Sequence, residues 1–256
     1  MNTLSVALGL ACLGGAAVVG GASPAGARTE LEAMVRPIAL PFLWRSLGDA
    51  SRAGDPAEAF AKAQLLLEAI PGWADGYIVF AYRYALDGGD VALPPAARER
   101  AAADRLQIGL SVLDRARASC QRDEIDLLVS MSWLVELAVR REPGIAPLLG
   151  TAPAVLADGF LVAAEARGAG RMVREQRLFQ LPQLVAALLA AGDRARALDL
   201  LDEGVARCAE VRRTDIATEW RTLLDAVRRC LRGDPTVDGA ALLADDRLQP
   251  LATFLR

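Results

Sequence analysis

Residues 43–86 read LWRSLGDASRAGDPAEAFAKAQLLLEAIPGWADGYIVFAYRYAL, and the spacing of their apolar positions decides the fold class. Leu43, Leu47 and Ala50 recur at helical spacing up to a stop at Gly54-Asp55-Pro56. There glycine ends one helix and Asp55 can cap the next. Pro56 suits a first helical turn, where a missing N–H costs nothing. Ala59, Phe60, Ala63, Leu66, Leu67 and Ile70 mark the buried side of a second helix, which Pro71-Gly72 ends. A third helix is predicted over residues 74–86, carrying Tyr77, Phe80, Tyr82 and Tyr84. Helices joined by such short turns pack antiparallel, so the stretch predicts stacked helical hairpins.

Working outward, the same periodicity predicts helices over 96–120, with Leu106, Leu110 and Leu113 inward, and over 123–141, built around Ile125, Leu128, Trp133, Leu134 and Leu137. Further helices are expected over 154–167, over 171–191 with a break or kink at Pro182, over 194–210, and over 214–232 with Thr214 as cap. Residues 143–153 form the longest irregular stretch. No run alternates with a period of two, so no strand is expected. The expected organisation is an apolar N-terminal segment 1–27, a linker 28–40, helical repeats 41–142, a connection 143–153, further helical repeats 154–234 and a tail 235–256.

Composition narrows the function. The chain has 256 residues, 53% of them hydrophobic, enough for a substantial core. The net charge of −3 argues against a nucleic-acid partner, which would select a basic surface. Lys62 is the only lysine; this bias toward arginine, with abundant alanine, points to a GC-rich bacterial genome. There is no histidine, which removes imidazole bases, histidine-activated nucleophiles and histidine metal ligands. Cys12, Cys120, Cys208 and Cys230 fit no zinc or thioredoxin spacing and read as buried packing residues. Lys62 lacks the glycines of a phosphate loop, and Gly168-Ala169-Gly170 lacks the third glycine of a dinucleotide fingerprint. Arg232-Gly233-Asp234 reads as a helix end, Asp123, Glu124 and Asp126 as a helix start favoured by the dipole, and Asp245-Asp246 as a solvated turn. No catalytic, cofactor-binding or metal-ligating residue is nominated, and the chain is not expected to be an enzyme.

Met1 to Ala27 carries no side-chain charge, and Leu4 to Ala22 is long enough to cross a bilayer. Three readings stand. A single transmembrane anchor, followed by Arg28, Arg36 and Arg45, would place the body in the cytoplasm. A signal peptide would be cleaved near Ala27, after the small-x-small site Ala25-Gly26-Ala27, and the body exported. A lipoprotein would use Cys12, although Gly9 stands where an aliphatic residue is expected.

The turn Gly54-Asp55-Pro56-Ala57-Glu58-Ala59-Phe60 is echoed 138 residues later by Gly192-Asp193-Arg194-Ala195-Arg196-Ala197-Leu198, close to four units of about 34 residues. Tyr77, Phe80, Ala81 and Tyr84, preceded by Trp44, Leu47 and Gly48, follow the spacing of a repeat's first helix; Ser51 departs from it. Ala59 and Pro71 suit the second helix if one residue is deleted before the turn. On these residues the chain resembles tetratricopeptide-repeat proteins. Small residues at Gly48, Ala59, Ala81 and Ala197 would let helices approach closely. The helices over 96–120 and 123–141 are too long for regular units, so the array is irregular, with a one-off four-helix bundle as the alternative.

The resemblance implies an all-α fold: an αα superhelix of antiparallel helix pairs whose concave face binds partners. In its register Arg45, Asp49, Arg52, Asp75, Ile78 and Tyr82 face that groove. Arginine would meet carboxylates there and tyrosine would stack or hydrogen-bond. The expected function is a membrane-anchored scaffold or adaptor for a protein or peptide. The alternatives are a self-associating homo-oligomeric structural or envelope protein, or a carboxylate-dependent enzyme.

Overall fold

A computed structural model describes residues 41–50, 52–53, 56–70, 72–86, 93–211 and 213–255, and every regular element among them is helical. The apolar N-terminal segment, Ser51, the Gly54-Asp55 turn, Pro71 and the Asp87–Asp90 loop lie outside the described residues. Among the described residues no single helix is long and apolar enough to cross a membrane.

The chain divides into two compact units, residues 1–73 and 74–256. In the first, α1 covers residues 41–50 and α2 runs Pro56–Ala69. Ala50, Ala63, Leu66 and Leu67 are buried, on the sides the periodicity selects. The rings of Trp44 and Trp73 meet edge to face with centroids 5.5 Å apart, the geometry the ring quadrupole favours.

The second unit contains α3 (Ala74–Leu86), α4 (Pro95–Ser119), α5 (Glu124–Arg141), α6 (Pro153–Ala166), α7 (Arg171–Ala190), α8 (Arg194–Arg207), α9 (Thr214–Leu231) and the single turn α10 (Gly239–Leu242). From α3 to α9, each long helix packs against the one that follows it. Glycine punctuates the array as expected. Gly168, Gly192 and Gly233 take positive φ, where a Cβ would be strained. After α9 the Asp234 N–H returns to the Arg229 carbonyl at 3.1 Å, so Arg232-Gly233-Asp234 is a helix stop. Asp193 caps α8 by accepting from the Arg196 N–H at 3.1 Å.

Four expectations need correction. Thr214 is the first residue inside α9 and caps nothing; the preceding Arg213 pairs with Asp215 instead. Residues 143–153 are not open chain: a 3-10 helix, Pro143–Leu149, seats Ile145 fully in the core. α7 is not broken at Pro182: the helix continues through it, and Pro182 is buried. The close approaches fall elsewhere than Gly48, where an added Cβ would come within 4 Å only of the Arg52 guanidinium. A Cβ on Gly109 would lie 3.2 Å from the Ala81 carbonyl oxygen and 3.3 Å from Leu134 Cδ2, so glycine there lets α4 sit directly on α3. Ala81 and Ala197 are fully buried, as small contact residues should be.

The unit holds two apolar cores. The first gathers residues from Ala74 to Val173 and the second from Leu178 to Leu255. Arg177 stands on α7 between them, its side chain only 9% exposed. It donates to Asp158 at 2.7 and 3.2 Å and to Glu165 at 2.6 Å, and Glu165 also accepts from Arg207 at 2.7 Å. Burial alone would push the Glu165 carboxyl up, but Arg207 and Arg177 reverse this and hold it below the ordinary carboxylate range. Arg177→Ala would leave Asp158 without this partner and Glu165 half paired. It should cost about 3–5 kcal/mol, read as a lower urea midpoint. Arg177→Lys should recover only part of the loss, because a point charge cannot fork.

Candidate functional site

Polar side chains join α5 to α3 on one hand and to α7 on the other. From α3, the Tyr82 hydroxyl donates to the Ser130 carbonyl of α5 at 3.0 Å. From α7, the Gln180 amide donates to the Glu136 carboxylate of α5. Ser130, Trp133 and Glu136 are three residues apart and share one side of α5. Trp133 therefore lies between the two bridges, and it is 48% exposed.

This overturns the expectation that Trp133 belongs to the core of its helix. Leu127, Met131, Leu134 and Ala138 already complete the buried stripe of α5 at three- and four-residue spacing, with Leu128 and Val135 beside it. Position 133 falls outside that stripe, so the indole goes to the surface. A large aromatic held half in water on a rigid helix is a common anchor for a partner.

The electrostatics of the face follow from its partial burial. Burial pushes the Glu136 carboxyl above its ordinary value, and the Arg140 charge and the Gln180 hydrogen bond only partly offset this. Burial also raises the Tyr82 hydroxyl to about 12, with the Glu136 charge adding to the effect. Tyr82 thus stays a neutral donor, while Glu136 is a carboxylate short of solvent and able to gain from a cationic or N–H donor. The face offers an aromatic surface beside an acceptor. It has no nucleophile–base pair, and among the described residues no cluster of three or more Cys, Asp or Glu is placed to hold a metal. Cys120 and Cys208 are buried, and Cys230 is half-buried.

The six residues nominated from sequence fall in both units. In the first, Arg45, Asp49 and Arg52 are all exposed on one side of the helical stretch, and Arg52 pairs with Asp49 at 2.5 Å. In the second, Asp75 is exposed in the first turn of α3, whereas Ile78 and Tyr82 pack against the first core. Tyr82 reaches the polar face only through its hydroxyl. Trp133, Glu136 and Gln180 were not nominated. The signal for Trp133 was present, because its position is the one the α5 stripe skips; nothing in sequence pairs Glu136 with Gln180.

No family model, no curated protein and no solved structure matches this chain. The tetratricopeptide-like resemblance therefore rests on the residues that carry it in the sequence.

Glu136 supplies a test of the face. Its folded-state pKa lies above the ordinary value of 4.5. The folded protein therefore holds this proton more tightly than the unfolded chain. The stability that Glu136 contributes is fully present below about pH 4.5 and is lost as pH rises through the folded value. Glu136→Gln keeps an acceptor for Gln180 without the charge. The variant should be more stable than wild type at neutral pH, with the difference shrinking to nothing in acid. Urea unfolding followed across that range checks it, and identical pH profiles for the two proteins would contradict the assigned burial.

Proposed function

We propose that this protein is a helical-repeat adaptor that binds a protein or peptide partner through the face formed by α3, α5 and α7. The observation that carries the reading is Trp133, half exposed on α5 between the Tyr82 and Gln180 bridges. Those bridges also support an αα superhelix, in which the first helices of successive pairs line one side. The face suits an extended segment with a basic or N–H-rich side chain, laid on the indole and donating to Glu136. Asp75 forms its rim. Arg45, Asp49 and Arg52 form a separate charged patch on the first unit for the same class of partner.

The uncharged stretch from Met1 to Ala27 supports attachment to a membrane by a single span, with the arginines after it favouring a cytoplasmic body. In that arrangement the helical body collects a partner at the membrane surface.

Affinity capture with the detergent-solubilised full chain tests the reading. A partner retained by wild type should be lost, by tenfold or more in affinity, from Trp133→Ala. The same substitution should shift the urea midpoint little, since half of the ring already faces water. Retention of that partner with unchanged affinity would remove Trp133 from the binding face. Recovery of a defined homo-oligomer with no second protein would favour self-association instead.

A further inference from the structure

A recess lies in the residue 74–256 unit, apart from the Trp133 face. The end of α3 (Ala85, Leu86), the first half of α4 (Arg98, Ala102, Arg105), the end of α5 (Ala138, Arg141, Glu142) and Ile145 enclose a cleft of about 220 Å³. It exists because three facing helices put alanine where larger residues would meet: Ala85, Ala102 and Ala138 are all buried and leave the space between them unfilled. Ile145, with no exposure, adds to this apolar lining.

The charges around this lining are unequal. Its residues bring three guanidiniums and one carboxylate. Arg98 forks onto Glu142 at 2.9 and 3.3 Å, which consumes the carboxylate and ties α4 to the end of α5. Arg141 lies exposed in the last turn of α5. The helix dipole favours a cation at that point, but it does not account for Arg98 and Arg105 converging on the same space from α4. Burial lowers the Arg105 pKa, Tyr84 beside it works in the opposite direction, and the Arg141 charge adds a smaller lowering; an anion between the two guanidiniums would relieve that last, repulsive contribution.

We propose that this cleft binds a small organic carboxylate, with its apolar chain on Ala85, Ala102, Ala138 and Ile145 and its carboxylate between the guanidiniums of Arg105 and Arg141. The planar fork of arginine matches a carboxylate. The volume sets the size: it lies below the roughly 300 Å³ at which pockets for drug-sized ligands begin, and equals the share of about seven waters at ~30 Å³ each. A straight-chain acid of four to six carbons fits; inorganic phosphate would leave the apolar lining unused.

Calorimetric titration of the full chain with acetate, butanoate, hexanoate, decanoate and inorganic phosphate tests this. Affinity should rise about fourfold per methylene from acetate to hexanoate and gain nothing further by decanoate, with phosphate weaker than butanoate. Arg141→Gln should weaken hexanoate binding at least tenfold while helix content and the urea midpoint stay at wild-type values. Ala138→Leu, which fills the cleft, should abolish it. The exposed Arg100→Gln, outside the lining, serves as a control and should bind as wild type does. Affinity independent of chain length, phosphate binding as tightly as hexanoate, or wild-type affinity in Arg141→Gln would each overturn the assignment.

Discussion

A carboxylate shared by two arginines is the interaction on which the arrangement of residues 74–256 depends. Glu165 of α6 takes Arg177 from α7 and Arg207 from α8. Glu124, at the start of α5, takes Arg117 from α4 and Arg167 from just beyond α6. Asp202 of α8 takes Arg228 and Arg232 from α9 and its end. Glu165 and Glu124 each take arginines from two other helices or helix ends, and Asp202 ties α8 to α9, so helices are fixed in register as well as in contact. A buried ion pair is weak evidence for stability in itself. Its value here is geometric: Asp158 and Glu165 are two turns apart on α6, and the Arg177 guanidinium reaches both only when α6 and α7 are correctly aligned.

The same device bears on what the chain leaves open. Where arginine is matched by acid, as around Glu165, the charges are spent within the fold. Around the alanine-lined cleft, Glu142 is already taken by Arg98 and the remaining lining charge is guanidinium. Around Trp133, by contrast, the structure holds a carboxylate in partial burial, which the Arg140 charge and the Gln180 amide only partly offset. The cleft and the Trp133 face therefore differ in the sign of the charge they present.

Much of the helical architecture was legible in the sequence. α3 is Ala74–Leu86, as the apolar spacing and the flanking Pro-Gly and Gly-Gly breaks require. α4, α5, α6 and α9 also fall close to their expected limits, because the packed positions recur with helical period. Apolar counting does not reveal how many faces a helix buries. It assigned Trp133 to the core because tryptophan is apolar, although Leu127, Met131, Leu134 and Ala138 had already filled the stripe. It is equally silent on the alanine-lined cleft, where Arg98, Ala102 and Arg105 share one face of α4 and the alanine between them is buried. The pairings of Glu136 with Gln180 and of Arg177 with Asp158 join residues 44 and 19 positions apart, and only the folded chain brings them together.

α7 belongs to both cores, giving Val173 to the first and Leu178, Leu181, Leu184 and Val185 to the second. A helix with that double membership makes unfolding cooperative across the unit. Neither core can open by releasing α7 without exposing apolar surface in the other, so the two melt together and not as separate foldons. The slowest-exchanging backbone amides should then be those in the middle of α7, around Arg177, while amides of the 3-10 segment Asp246–Leu251 and of α10 should exchange through local opening that leaves α7 in place.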